Sequence, residues 1–196
     1  MYISIKSHFK DLSKNSDLTG KLLVASPALD AEDYCFSRSV IYILKSSDEG
    51  ALGVIINNRI DPALDPVIVS TSSEGSKHLK FKNLYFGGPV DDQLANVLYI
   101  DQYNGVDNTD VVKLGMNNRI MKRIESNKGV PRNSLFIIGH CSWGGGELEE
   151  EIKNGDWFVM PYNRSLVFGN KKDKWEACMD KLKINPDLYV DCEGSC

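Results

Sequence analysis

An apolar strand that runs into glycines can expose short nucleophilic side chains and backbone N–H groups to a substrate. The stretch Gly139-His140-Cys141-Ser142-Trp143-Gly144-Gly145-Gly146 has this form. It carries an imidazole, a thiol and a hydroxyl on consecutive residues, the side chains of a hydrolase or transferase. The spacing does not complete the pattern. A nucleophile elbow requires Gly-x-Ser-x-Gly, and Ser142 has Gly144 two residues after it but His140 two before. Cys141 is next to His140, and neighbours on a strand point to opposite faces. No catalytic residue is assigned.

The same glycines invite a phosphate cradle, but the following helix opens with Glu147, Glu149, Glu150 and Glu151. Those carboxylates already complement the positive helix end and repel an anion. No Lys-Ser or Lys-Thr follows, so this is not a P-loop. The acidic run could itself face a basic partner.

Gly87-Gly88-Pro89 is a second glycine turn, placed after a short apolar run. It lets a ligand or peptide come close to the main chain, or it simply reverses the chain. Gly87, Gly88, Pro89, His140, Ser142, Trp143 and Gly144 form the candidate contact region for a ligand or partner. Arg38 and Asn57 are read as structural polar residues, an ion pair and a turn respectively.

No metal site is expected. His8, His78 and His140 are scattered, and the five cysteines, Cys35, Cys141, Cys178, Cys192 and Cys196, have irregular spacing. No cofactor is expected. Arg119, Lys122, Arg123, Lys128 and Arg132 form a small basic patch, and Lys171, Lys172 and Lys174 form another. Both read as solvated faces, since neither a recognition helix nor a stacking ladder accompanies them. With a formal net charge of −4, direct nucleic-acid binding is not expected.

The elements that must position these residues follow from hydrophobic patterning. The 196 residues are 42% hydrophobic and 26% charged, ordinary values for one globular domain. Residues 1–17 read as a polar leader, 18–185 as the domain and 186–196 as a loose tail. Strands are expected at 21–25, 39–44, 52–57, 84–86, 96–100, 134–139, 157–160 and 166–168, with 39–57 a hairpin. Helices are expected at 115–127, 147–153 and 173–183, and a short helix followed by a loop within 61–80. No run approaches a membrane span and no signal-peptide core is present, so a cytoplasmic location is expected. Hairpin strands mixed with helices give an α+β class.

Several segments in register resemble the YqgE/AlgH family. They are Leu18-Thr19-Gly20-Lys21-Leu22-Leu23-Val24-Ala25-Ser26-Pro27, Phe36-Ser37-Arg38-Ser39-Val40, Gly50-Ala51-Leu52-Gly53-Val54-Ile55-Ile56-Asn57, Gly87-Gly88-Pro89-Val90, and Gly139 with Trp143, Gly146-Glu147-Leu148 and Trp157. They span about 18–185. The resemblance implies a branched mixed β-sheet, part of it barrel-like, surrounded by helices, and no cofactor. One family member is linked to transcriptional control of alginate production. The chain departs from the family where Arg-Gly-Phe and a histidine usually follow Gly-Gly-Pro-Val; here the segment is Leu94-Ala95-Asn96-Val97-Leu98-Tyr99. The function expected is a non-catalytic binding or regulatory module with an unknown protein or small-molecule partner. The alternatives are a transcriptional regulator and a hydrolase or transferase using His140-Cys141-Ser142.

Overall fold

Short β-branched runs dominate the secondary structure. The computed structural model describes residues 17–29, 35–61, 68–69, 77–78, 84–101, 110–115, 120, 122, 133–171 and 173–189. Its strands are β1 (Leu22–Ala25), β2 (Val40–Ser47), β3 (Gly50–Ile55), β4 (Ile68–Val69), β5 (Lys77–His78), β6 (Leu84–Phe86), β7 (Val90–Ile100), β8 (Val112–Gly115), β9 (Ser134–Gly144) and β10 (Trp157–Met160). The helices are α1 (Glu147–Asn154), α2 (Arg164–Val167) and α3 (Lys174–Leu182), followed by a 3-10 turn at Pro186–Leu188.

Eight strands form one mixed sheet in the order β10-β1-β2-β3-β9-β7-β8, with β6 attached to β9; β4 and β5 pair separately. The strand β9 is the branch point. Its first half pairs with antiparallel β7 on one edge and parallel β6 on the other. Its second half pairs with antiparallel β3, from Gly53 opposite Cys141 to Gly50 opposite Gly144. The strands β6 and β3 thus share one edge of β9 end to end. Gly87 is their joint: its N–H donates to the Ile138 carbonyl (2.6 Å) and its carbonyl accepts from the Ile55 N–H (2.8 Å).

Among the described residues no ladder joins β8 to β10, so the sheet is open and the expected barrel-like portion is not formed. The physical reason lies at the same joint. Half of the β9 edge is given to the short strand β6, so the sheet forks there and lacks the uniform stagger that closure demands.

All four residues of β1 are fully buried, because β10 and β2 flank the strand and side chains cover both faces. Trp175 in α3 donates its indole N–H to the Ala25 carbonyl (2.8 Å) and so fixes that helix to the end of β1. A smaller apolar cluster of Leu84, Val97, Ile120 and Phe136 sits on the β6–β9–β7 side.

The hairpin expected at 39–57 is present as β2 and β3. Residues 164–167 are helical, where a strand was expected at 166–168, because Asn163 caps the turn by accepting from the Leu166 N–H (3.1 Å). The expected helix at 115–127 is described only at Ile120 and Lys122, both helical; Gly115 instead closes β8. The expected helix within 61–80 falls mostly outside the described residues. Tyr189 packs edge-on against Phe158 (6.2 Å), which ties the chain after Pro186 to the core.

Candidate functional site

Strand β9 continues through Gly144, so the glycine turn is confined to Gly145 and Gly146. Alternation along β9 then separates the three chemistry-bearing side chains. His140 and Ser142 share one face and Cys141 takes the other. Cys141 is 1% exposed, and its thiol donates to the Gly87 carbonyl (3.3 Å). Burial, with a smaller push from Cys35, raises this thiol to about 12. Such a group is a packed hydrophobe at neutral pH, since only the thiolate attacks. His140 is half-buried, with Nδ1 3.8 Å from the Asp91 carboxylate. Among the described residues no hydrogen bond links His140 to Ser142 or to Cys141. Among the described residues these three side chains form no hydrolytic dyad with one another.

Trp143 lies inside the core at 6% exposure. Its indole N–H donates to Glu151 Oε2 (2.9 Å), and Trp157 donates to the same oxygen (2.7 Å). The two rings meet edge-to-face at 6.4 Å. One helix α1 carboxylate therefore organises both tryptophans. Gly144 is equally engaged: its N–H is taken by Glu147 Oε2 (2.8 Å), so the acidic first turn occupies the donor that an anion would need.

Gly87, Gly88 and Pro89 run directly against β9. A Cβ on Gly88 would lie 2.3 Å from the His140 carbonyl oxygen, and one on Gly139 would lie 2.2 Å from that of Gly88. These glycines let two backbones touch.

A different feature opens nearby. A polar cleft of about 420 Å³ is lined by Arg38, Asn57, Arg59, Tyr85, Asn170, Lys171, Asp173 and Lys174. It lies where the start of β2, the residues after β3, the strand β6 and the start of α3 converge. Arg38 takes a left-handed backbone (φ 53°), which is costly for a residue with a side chain. Asn57 holds it there: its amide N–H donates to the Arg38 carbonyl (2.8 Å) and its oxygen accepts from the Val40 N–H (2.7 Å). The guanidinium stacks 4.2 Å above Trp175 and reaches Asp173 (3.3 Å) and Glu176 (2.9 Å). Asp173 also caps α3, accepting from the Glu176 N–H (2.9 Å).

Lys174 is the unusual member. It is 4% exposed, and its ammonium donates to the Val167 carbonyl (2.6 Å) and lies 5.6 Å from the centre of the Tyr85 ring. Burial lowers its pKa to about 8. Sequence reasoning placed Lys174 with Lys171 and Lys172 on a solvated face. The missed signal is positional: Lys174 precedes Cys178 by four residues, on the stripe that carries Trp175 and Met179 into the core. Of the other expected basic patch only Lys122 is described, and it is exposed; Arg119, Arg123, Lys128 and Arg132 lie outside the described residues.

Among the described residues no group of three His, Cys, Asp or Glu side chains is placed to hold a metal ion, and no helix is long and apolar enough to cross a membrane.

Comparison with known proteins is consistent across sequence and structure. The profile of the AlgH-like family matches residues 22–187. A UPF0301 protein of Gluconobacter oxydans is 36% identical over 184 residues, covering 90% of this chain and 97% of the relative. A UPF0301 protein of Rickettsia akari is 31% identical over 181 residues, covering 90% and 94%. The crystal structure of a Corynebacterium diphtheriae protein matches with a TM-score of 0.61 at 29% identity, over 88% of this chain and 91% of that one. The solution structure of the AlgH protein from Pseudomonas aeruginosa shares the fold, with a TM-score of 0.63 at 21% identity over 95% and 100%.

Proposed function

The chain belongs to the AlgH-like family, and from that premise we propose that it is a non-catalytic binding or regulatory module whose ligand contact is the cleft of Arg38, Asn57, Arg59, Tyr85 and Lys174. One observation carries this reading. Three groups of the segment that looks most like an active site are spent on the fold: the Cys141 thiol on Gly87, the Trp143 indole on Glu151 and the Gly144 N–H on Glu147. The cleft surrounds open space with polar side chains, and among the described residues two of them, Lys171 and Lys174, have no carboxylate partner. The cleft also borders the glycine junction, since Tyr85 lies two residues before Gly87 and Asn57 two after Ile55. The glycine turns then serve the contact by placing its walls.

The test uses the intact protein and two reagents, a fluorophosphonate for serine and iodoacetamide for cysteine. At neutral pH neither Ser142 nor Cys141 labels in the folded protein, and Cys141 alkylates only after denaturation. The raised thiol pKa keeps its thiolate fraction near zero until the pH approaches about 12. Rapid labelling of Ser142 by the fluorophosphonate, or of folded Cys141 by iodoacetamide, would overturn the non-catalytic reading.

A further inference from the structure

We propose that the cleft is a receptor site for a small organic phosphate, with Lys174 as its buried anchor and Arg38, Arg59 and Lys171 around it. The inference rests on the binding-module reading and adds the chemical class of the ligand.

Charge is the first reason. Four cationic side chains line the cleft. Two carboxylates, Asp173 and Glu176, both pair with Arg38, and Asp173 also caps α3. Among the described residues neither Lys171 nor Lys174 has a carboxylate within ion-pair distance. The surplus that these two lysines supply favours a dianion over a monoanion, and at neutral pH a phosphate monoester carries about one and a half to two negative charges.

The state of Lys174 is the second. A buried ammonium usually has an anionic partner. Among the described residues this one has a single acceptor, the Val167 carbonyl, and an ammonium has three N–H donors. Its depressed pKa comes from desolvation with no compensating carboxylate. A phosphate oxygen would supply the missing counter-charge and the missing acceptors together.

Size and lining supply the third. At about 420 Å³ the cleft is far larger than a lone phosphate group. The remaining wall is Asn57, Asn170 and Tyr85, which offers amide hydrogen bonds and an aromatic surface. Asn57 is partly engaged with Arg38 and Val40, so Asn170 and Tyr85 face the organic part. This lining suits a sugar or a base better than an acyl chain. Helix α3 contributes little to anion binding through its own N-terminus, because Asp173 already caps it. The site is made by side chains from four segments.

The experiment titrates the full chain with inorganic phosphate, ribose 5-phosphate and AMP by calorimetry, with chloride added to hold the ionic strength constant. Lys174→Met and Lys171→Gln are titrated alongside. At least one of the esters is expected to bind saturably and more tightly than inorganic phosphate. Lys174→Met is expected to weaken it by about tenfold or more, the typical worth of a charge-assisted hydrogen bond. Lys171→Gln, on an exposed residue, weakens it less and keeps the proposal testable if Lys174→Met does not fold. The absence of saturable binding by both esters overturns the proposal. So does an affinity that Lys174→Met leaves within twofold, or one lower for both esters than for inorganic phosphate. Serine and cysteine labelling is independent of this outcome, so failure of the phosphate site leaves the non-catalytic reading standing on its own test.

Discussion

Replacing Glu151 by alanine is expected to destabilise the protein by about 3 kcal/mol or more, because it strands two buried indole N–H groups at once. A single carboxylate oxygen accepts from Trp143 at 2.9 Å and from Trp157 at 2.7 Å, and those rings are 6% and 2% exposed. Each unsatisfied buried donor costs on the order of 1–3 kcal/mol, and the residue that satisfied them carried a charge that strengthened both bonds. Glu151→Gln keeps an acceptor oxygen in place and is expected to lose about half as much. Denaturant unfolding followed by tryptophan fluorescence checks both variants. A loss under about 1 kcal/mol for Glu151→Ala would show that water replaces the carboxylate.

The Gly139→Ala change is expected to be as severe, about 3 kcal/mol or more, or to prevent folding. Two costs add. The residue sits at φ +72°, a left-handed backbone that disfavours any side chain. A Cβ there would also lie 2.2 Å from the Gly88 carbonyl oxygen, and a backbone atom cannot swing aside like the end of a lysine. The cause is the fork in the sheet: β6 and β3 meet at Gly87, and the residues that turn away from that joint run backbone-to-backbone with β9. Gly146→Ala provides the contrast. Its φ is +80°, but nothing lies within 4 Å of the added Cβ, so it is expected to cost only about 1 kcal/mol. Thermal unfolding of the two variants side by side separates steric closure from backbone strain. Equal losses would contradict the close-approach account.

These two sites show what was readable in the sequence. The β-branched runs and their turns identified the hairpin of β2 and β3, the strand β9 and the helices α1 and α3, because periodicity and capping are local properties. The glycines were recognisable as important, but their reason was not local. Gly88 and Gly139 are separated by more than fifty residues, and each is a glycine because of the other's strand: a Cβ on Gly139 meets the Gly88 carbonyl, and one on Gly88 meets the backbone of His140 and Cys141. Trp143 looked available because the turn around it looked open. It is committed because Glu151 and Trp157 come back over it from the following helix and strand. The strand expected at 166–168 failed for a smaller reason, since the Asn163 cap outweighs a short apolar run.

The cleft was the least legible feature. Its residues come from four separate segments, and Lys174 read as part of a charged surface run. Its burial carries a measurable cost. A lysine whose pKa falls from 10.5 to about 8 on folding binds its proton less tightly in the folded chain than in the unfolded one. The contribution is therefore unfavourable at neutral pH, by about 3 kcal/mol from the size of the shift. It is relieved only as the pH rises from about 8 through 10.5. A bound dianion removes that cost at neutral pH, which gives the position a reason beyond packing.

Backbone amide NMR of the intact protein, recorded with increasing AMP at constant ionic strength, tests most directly whether the contact lies at the cleft and not at the glycine turn. The expected result is a saturable set of shifts at Arg38, Asn57, Arg59, Tyr85, Asn170 and Lys171, with Ser142, Gly144 and Gly145 unmoved. Shifts that are largest at His140, Ser142 and Gly144, with the cleft residues still, would contradict the account.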